Sequence, residues 1–213
     1  MTAVLDELGR HRLVPVAVID EPTAAVPLGR ALEAGGLSCV EVTLRTTTAL
    51  LSLRALAAET SLLVGAGTVL TRAQADDAVA AGARFIVSPG FSAPLVRHCQ
   101  QLGVPILPGV ATVSEIMAAL DEGIEVMKFF PAEQSGGADW VRAVAGPLPS
   151  ARFVPTGGIT AALLPDYLKL PSVFAVGGSW MVSSSLVKAG DWSLVTKLTA
   201  EAVSSVEAHR ATA

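Results

Sequence analysis

The amino-acid sequence predicts an α/β fold: a (β/α)8 barrel of the TIM-barrel type with an additional N-terminal helix. Short apolar runs alternate with alanine-rich or amphipathic segments along all 213 residues, as parallel strands alternate with helices. Eight such pairs occur, at a spacing of roughly 20 residues that suits a closed barrel. An open doubly wound sheet is the alternative, but Asp20-Glu21-Pro22 replaces the glycine fingerprint expected after its first strand.

Local signals define the first half of the barrel. Residues 2–10 form the additional helix. The four strands are apolar runs rich in Val, Ile and Leu, residues 13–19, 38–44, 62–67 and 84–88. The first two helices after these strands are residues 22–34, which end at Gly35-Gly36, and residues 47–59. A capping box opens the third helix at Thr71, and the fourth begins at Ser92.

The second half repeats the pattern. Its strands are residues 104–107, 124–129, 152–155 and 173–176. A second capping box opens a helix at Thr112, and the other helices are residues 138–145, 161–168 and 192–209. No linker rich in Pro or Ser divides the chain, so residues 1–213 are predicted to form one domain.

Composition excludes several classes of protein. The net charge of -4, the pI near 5.4 and the absence of a Lys/Arg cluster argue against a nucleic-acid surface. Cys39 and Cys99 have neither metal-site spacing nor a disulfide framework, which predicts buried free thiols in a reducing compartment. Residues 1–7 lack the basic flank of a signal peptide, and no apolar stretch is long enough to span a membrane. We therefore expect a cytoplasmic protein.

Lys128 is the most informative residue of the sequence. It lies near the end of the predicted strand 124–129 and has the same parity as Ile124 and Val126, so it shares a face with apolar side chains. Burying an ammonium group is costly, and a neutral amine is the nucleophile that forms Schiff bases with ketones. Lys128 is therefore a candidate catalytic nucleophile. The alternative is a lysine that extends into solvent or pairs with a carboxylate.

Charged and small residues also lie at the ends of the second and third predicted strands, and barrels of this type carry their active sites at such strand ends. Glu41 and Arg45 share one face of the second strand, and they form either an internal ion pair or part of a site. The third strand ends in Gly65-Ala66-Gly67-Thr68, where glycine allows the approach of a ligand or simply of another backbone. The turn at Pro89 forms at most a pocket wall.

Paired glycines follow the last two strands, in Thr156-Gly157-Gly158 and Gly177-Gly178-Ser179. Backbone N–H groups in such turns bind anions, and the seventh and eighth loops are the usual phosphate site of this barrel. One Gly-Gly pair commonly marks only a turn. Two pairs at these two strand ends predict a phosphate site.

This set of residues suits carbonyl chemistry through an iminium. A lysine forms the iminium, a carboxylate moves protons, and Arg45 with Thr68 could hold a substrate carboxylate. The predicted substrate is a 2-keto acid with a phosphate at its far end. The three histidines lie in predicted helices, and with no His or Cys cluster a metal site is not expected.

Six blocks of sequence resemble the 2-keto-3-deoxy-6-phosphogluconate (KDPG) aldolase family, in order and over nearly the whole chain. They are Glu41-Val42-Thr43-Leu44-Arg45-Thr46, Gly65-Ala66-Gly67-Thr68-Val69-Leu70, Ser88-Pro89-Gly90, Lys128-Phe129-Phe130-Pro131-Ala132-Glu133, Pro155-Thr156-Gly157-Gly158-Ile159 and Gly177-Gly178-Ser179-Trp180. The resemblance implies a class I aldolase that splits KDPG into pyruvate and glyceraldehyde 3-phosphate without a metal or cofactor. It also implies a homotrimer.

The resemblance assigns a role to each matching position. Lys128 is implied to form the Schiff base, and Glu41 to be the acid/base residue. Arg45 and Thr68 are implied to contact the pyruvate carboxylate, and Pro89 and Phe130 to line the pocket. The phosphate is implied to contact the loops that contain Thr156, Gly157, Gly158, Gly178 and Ser179.

Three alternatives for the function remain. Many members of the family also cleave 4-hydroxy-2-oxoglutarate (KHG), so dual activity is expected. The sister activity on the galactonate epimer is disfavoured, because its second-strand motif resembles Glu-Ile-Pro-Leu-Asn and this chain carries Arg45 at the last position. A barrel that only binds a phosphorylated metabolite is disfavoured because Lys128 and Glu41 are both present.

Overall fold

The computed structural model describes residues 2–212 and shows the alternation that the sequence predicts. The strands are β1 (Leu13–Ala17), β2 (Cys39–Thr43), β3 (Leu63–Gly67), β4 (Phe85–Val87), β5 (Ile106–Leu107), β6 (Gly109–Val110), β7 (Val126–Phe129), β8 (Arg152–Pro155) and β9 (Val176–Gly178). The α-helices are α1 (Thr2–His11), α2 (Ala25–Ala34), α3 (Ala49–Glu59), α4 (Arg72–Ala80), α5 (Ala93–Gln101), α6 (Val113–Asp121), α7 (Gly137–Ala145), α8 (Leu164–Leu168), α9 (Ser184–Ala189) and α10 (Trp192–Thr212). Short 3-10 turns cover Pro22–Ala24, Glu133–Ser135 and Trp180–Val182.

All strand pairs are parallel, so the fold is α/β with a curled parallel sheet. Six strands pair in the order β5-β4-β3-β2-β1-β9, and three pair in the order β6-β7-β8. Pro108 separates β5 from β6. Isolated bridges join Phe153 of β8 to Val173, which precedes β9, and Thr156, which follows β8, to Gly177 of β9.

The core divides into two apolar clusters. The larger lies between the sheet and its surrounding helices. The smaller holds side chains from the amino ends of the strands, such as Cys39, Leu63 and Phe85, and α1 closes it with Val4 and Leu8. Because side chains of one face recur every second residue, the next residues on this inner face lie closer to the carboxyl ends.

Both predicted capping boxes are confirmed, at Thr71 with Gln74 and at Thr112 with Glu115. The predicted strand 173–176 is present with shifted bounds: Val173 forms only an isolated bridge, and the ladder runs through Val176–Gly178, where Gly177 and Gly178 pair with β1. Sheet pairing there outweighs the low strand propensity of glycine.

Other boundaries differ from the predictions. The first strand ends at Ala17 rather than at residue 19, and Pro108 interrupts the fifth. The second helix opens with the 3-10 turn Pro22–Ala24, and the predicted helix 161–168 begins at Leu164. Helix α9 was not predicted. Within residues 2–212, no helix has the length and apolar character needed to cross a membrane.

Candidate active site

Lys128 and Glu41 form a buried ion pair at the carboxyl ends of β7 and β2. Lys128 Nζ lies 3.1 Å from Glu41 Oε1 and 3.5 Å from Oε2. The side chains are only 7% and 4% exposed. The predicted burial of Lys128 is confirmed, and the carboxylate it pairs with is the one on the second strand. An amine and a carboxylate, the groups that the predicted chemistry needs, therefore lie in contact and largely shielded from solvent.

The alternation of side chains explains why these two residues meet. Glu41 follows Cys39 by two positions, and Lys128 follows Val126 by two; Cys39 belongs to the smaller apolar cluster and Val126 packs against it. The inner face thus changes from apolar to charged within one step along each strand. The backbone fixes the height of Lys128, since it pairs in register with Gly109 and its N–H donates to the Pro108 carbonyl.

Gly67 provides the space for the Glu41 carboxylate. A Cβ at position 67 would lie 2.1 Å from Glu41 Oε1, which is far inside van der Waals contact. Gly109 makes space for a neighbouring backbone, because a Cβ there would lie 2.1 Å from the Pro89 carbonyl oxygen. The glycines at these strand ends thus let other groups approach the backbone closely. At Gly67 the group is the Glu41 side chain, which occupies the space that a Cβ would take.

Thr68 and Phe130 border the pair. Thr68 directly follows Gly67 and has a φ of 59°, in the left-handed region that few residues with a side chain adopt. The Phe130 ring centroid lies 5.4 Å from Lys128 Nζ, within range of a cation–π contact. Both residues are partly exposed, so they lie between the buried pair and the surface.

A cavity of about 390 Å³ opens at the same end of the sheet. Seven of the predicted site residues line it, namely Arg45, Phe130, Thr156, Gly157, Gly158, Gly178 and Ser179. Lys128, Glu41, Thr68 and Pro89 lie outside its lining, and Phe130, which belongs to the lining, lies against Lys128. Within residues 2–212, Arg45 is the one charged residue of the lining and forms no ion pair. The alternative of an internal pair between Glu41 and Arg45 is therefore wrong.

The two glycine loops form one wall of this cavity. Gly157 and Gly158 have φ angles of 104° and 78°, which glycine adopts without steric cost. Gly177 lies against Thr156, whose Oγ1 a Cβ at position 177 would approach to 2.1 Å. In the part of the chain that the structure describes, neither Gly158 nor Ser179 donates a hydrogen bond from its backbone N–H. Such groups suit an anion.

Several residues of this region were missed by the sequence reasoning. Ser183 and Ser184 line the cavity at the start of α9, and the run Ser183-Ser184-Ser185 was the available signal. Glu133 begins the turn after β7 and accepts a hydrogen bond from the Tyr167 hydroxyl. Burial, followed by this hydrogen bond, raises the pKa of Tyr167.

The remaining reactive groups lie away from the site. Cys39 and Cys99 are buried free thiols, as predicted, and burial raises the pKa of Cys39 to about 12 and that of Cys99 to about 11. Among residues 2–212, no group of three His, Cys, Asp or Glu side chains is placed to hold a metal ion.

The chain matches aldolases, which are carbon–carbon lyases, over nearly its whole length. The model of the aldolase family described as "KDPG and KHG aldolase" matches residues 4–198. The chain belongs to this family.

Individual relatives cover nearly the whole chain. It is 50% identical to 2-dehydro-3-deoxy-phosphogluconate aldolase of Treponema pallidum (strain Nichols) over 93% of this chain and 95% of that protein. It is 47% identical to KHG/KDPG aldolase of Escherichia coli (strain K12), with 90% of each chain covered. A crystal structure of KDPG aldolase from Legionella pneumophila, with pyruvate captured at low pH as a covalent carbinolamine intermediate, has a TM-score of 0.89 at 43% identity, covering 92% of this chain and 96% of the other.

Proposed function

We propose that this protein is a class I aldolase that cleaves KDPG to pyruvate and glyceraldehyde 3-phosphate. The observation that carries the proposal is the buried contact of 3.1 Å between Lys128 Nζ and Glu41 Oε1. We also propose cleavage of KHG to pyruvate and glyoxylate, because the same pair serves both substrates. The names of the relatives from T. pallidum and E. coli support these two substrates.

The reaction begins with attack of the Lys128 amine on the C2 carbonyl. Glu41 Oε1, at 3.1 Å from Nζ, carries two protons in succession from the Lys128 nitrogen to the C2 oxygen. The first leaves the ammonium of the ion pair, frees the amine for attack and converts the C2 oxygen to the carbinolamine hydroxyl. The second leaves the carbinolamine nitrogen, and the C2 hydroxyl departs as water. The resulting iminium carries a positive charge next to C3. The carbinolamine captured in the Legionella relative supports this route.

Cleavage then breaks the bond between C3 and C4. Glu41 takes the proton of the C4 hydroxyl, C4 becomes the aldehyde carbon of glyceraldehyde 3-phosphate, and the bonding electrons move into an enamine conjugated with the Lys128 nitrogen. Glu41 returns the proton to C3. Water hydrolyses the iminium, which releases pyruvate and restores the amine.

Four residues between the pair and the cavity are proposed to hold the keto-acid part of the substrate. Arg45 is exposed and free of ion pairs within the described chain, so its guanidinium can bind the C1 carboxylate in bidentate fashion. Thr68, next to Gly67, offers a hydroxyl. Phe130 and Pro89 supply apolar contacts, Phe130 through the ring near Lys128 Nζ.

The phosphate is proposed to bind along the glycine loops. Thr156, Gly157, Gly158, Gly178 and Ser179 line the cavity, and no lysine or acidic residue belongs to the lining within residues 2–212. Backbone N–H groups and hydroxyls would therefore make most of the contacts.

Arg45 favours the gluconate over the galactonate substrate. The galactonate-type motif is expected to carry Asn at this position, whereas here a cation lines the cavity. A parallel assay with KDPG and its galactonate epimer tests this choice. Faster cleavage of the epimer would assign the chain to the galactonate type.

We also propose that the sheet closes into a (β/α)8 barrel, within one domain. The bridges of Phe153 with Val173 and of Thr156 with Gly177 support closure between β8 and β9. The hydrogen bond from the Lys128 N–H to the Pro108 carbonyl supports treating β5 and β6 as one interrupted strand.

A cytoplasmic homotrimer is the proposed assembly and location. Two buried free thiols fit a reducing compartment. Exposed apolar side chains, including Leu70, Val113 and Met117, provide surface that an interface would cover. Light scattering of the purified protein measures the assembly, and a monomeric mass would contradict it.

Trapping of the imine tests the proposed function. Incubation with pyruvate and borohydride is expected to add a reduced pyruvyl group to the peptide that contains Lys128. The chain has its own internal controls, because the other three lysines, Lys169, Lys188 and Lys197, are all exposed. A label on one of these instead of on Lys128 would show that the nucleophile is wrongly assigned. Lys128→Met should abolish both the label and KDPG cleavage.

A further inference from the structure

Glu133 holds the backbone of the first glycine loop. It opens the 3-10 turn Glu133–Ser135, directly after the strand of Lys128. Its backbone N–H donates to the Gly157 carbonyl at 3.1 Å, and the neighbouring Ala132 N–H donates to the Thr156 carbonyl at 2.9 Å. Two carbonyl groups of the glycine loop are thus hydrogen-bonded to the turn that Glu133 opens, so the position of the loop depends on the position of this turn.

The side chain of Glu133 supports the same loop. A Cβ at Gly158 would lie 2.8 Å from Glu133 Cβ and 2.9 Å from Cγ, so the Gly158 backbone rests on the stem of this side chain. The Glu133 carboxylate accepts a hydrogen bond from the hydroxyl of Tyr167, a residue of α8 that is 1% exposed. The stem is therefore fixed at its far end by a residue of the core.

We propose that Glu133, held by Tyr167, is a positioning residue for the phosphate of the substrate. This inference rests on the proposed function and adds a specificity role to a residue that does not line the cavity. Gly157 and Gly158 have positive φ angles, and glycine can adopt many other backbone conformations as easily. Their N–H groups therefore keep one direction only if neighbouring residues hold the loop in place. The Glu133 side chain provides that constraint from behind the loop.

The inference predicts a split between two substrates. KDPG carries the phosphate that the loop would bind, whereas KHG has none, so disturbing the support should affect KDPG alone. A merely structural role would lower the activity on both substrates together.

The experiment compares Glu133→Ala, Glu133→Gln and Tyr167→Phe with the wild-type protein. Glu133→Ala and Tyr167→Phe each remove the side-chain hydrogen bond, and KM for KDPG is expected to rise on the order of tenfold. Their kcat for KDPG and both constants for KHG should change by less than about twofold. Glu133→Gln retains an acceptor oxygen and should stay close to the wild type. The matched control is Asp139→Ala, which removes a 90% exposed carboxylate from the following helix.

The binding of inorganic phosphate separates this inference from the proposed function. Calorimetry should give weaker phosphate binding to Glu133→Ala than to the wild type or to Asp139→Ala. Equal losses on KDPG and KHG, unchanged KM values, or the absence of phosphate binding to the wild type would each overturn the positioning role. A wild type that binds phosphate and loses this affinity in Glu133→Ala, but does not cleave KDPG, would retain the positioning role and refute the proposed function.

Discussion

Replacing Glu41 by glutamine is the sharpest test of the proton-transfer step. The amide has the shape of the carboxylate, and its oxygen can still accept the hydrogen bond that Lys128 Nζ makes to Oε1 at 3.1 Å. Glu41 also moves protons during imine formation, so this step should be slower in the variant, but the imine with pyruvate should still accumulate because its formation removes no proton from carbon. What is lost is the ability to take and return a proton.

The geometry sets the size of the expected loss. Nζ and C3 of the enamine are separated by two bonds, or roughly 2.5 Å, so an oxygen at 3.1 Å from Nζ can reach C3 by a small rotation of the side chain. Removing a general acid or base costs about 10²- to 10⁴-fold in rate. Because the Glu41 side chain is only 4% exposed, water is poorly placed to replace it. We therefore expect a loss of at least about 10²-fold in kcat, or about 3 kcal/mol in the activation barrier at roughly 1.4 kcal/mol for each factor of ten.

The assay follows the exchange of pyruvate methyl protons with solvent deuterium by NMR. Exchange requires the enamine to form and to be reprotonated, so it isolates the step assigned to Glu41. Borohydride trapping run in parallel shows that the variant still forms the imine, and Glu125→Gln, on an exposed residue, serves as the control. If Glu41→Gln exchanges the protons at the wild-type rate, another group or water is the base.

Three further predictions follow from the contacts of the site and core. Gly67→Ala places a Cβ 2.1 Å from Glu41 Oε1; the displacement of roughly 1 Å that this forces should lower kcat/KM for both substrates by about 10²-fold, and wild-type kinetics in the folded variant would contradict it. Ser179→Asp adds a negative charge to the exposed phosphate loop, so cleavage of KDPG should fall much more than that of KHG; the neutral Ser179→Asn is the control, and equal losses in the Asp variant would count against a phosphate role. Cys39 and Cys99, with pKa values raised by burial to about 12 and about 11, should stay protonated and resist iodoacetamide at pH 8 until the protein is unfolded in urea. Labelling of the folded protein at the rate of a free thiol would refute that expectation.

The inward position of Lys128 and Glu41 could be predicted from the sequence because a strand has a strict period of two. Lys128 shares its parity with Val126, and Glu41 shares its parity with Cys39, so an apolar neighbour shows which face each charge occupies. The distance between the charges could not be predicted, since it depends on the register of strands far apart in the chain. The pairing of Lys128 with Gly109, for example, is set by tertiary structure and not by the local sequence.

Features that depend on support from other elements escaped the sequence reasoning. Gly177 and Gly178 looked like a turn after the last strand, but they lie within β9 because β1 supplies the partners. Gly178 is therefore a poor position for a variant of the proposed phosphate loop. A Cβ there would lie 2.0 Å from the Trp180 ring, so replacing this glycine would disturb packing as well as binding. Ser179 is exposed and gives a cleaner test.

The two ends of the inner face show how one sheet combines stability with chemistry. At the amino ends, side chains such as Leu63 and Phe85 pack with α1 and bury apolar area. Two positions further along β3, Gly65 makes space for the Phe85 ring, which a Cβ there would approach to 2.2 Å. Two positions beyond the apolar Cys39 and Val126, β2 and β7 present Glu41 and Lys128 instead. The charged pair is costly to desolvate, so it depends on the apolar layer and helices around it for the stability that it does not itself supply. The cavity lined by the glycine loops and Arg45 lies at the other end of this face, at the carboxyl ends of the strands.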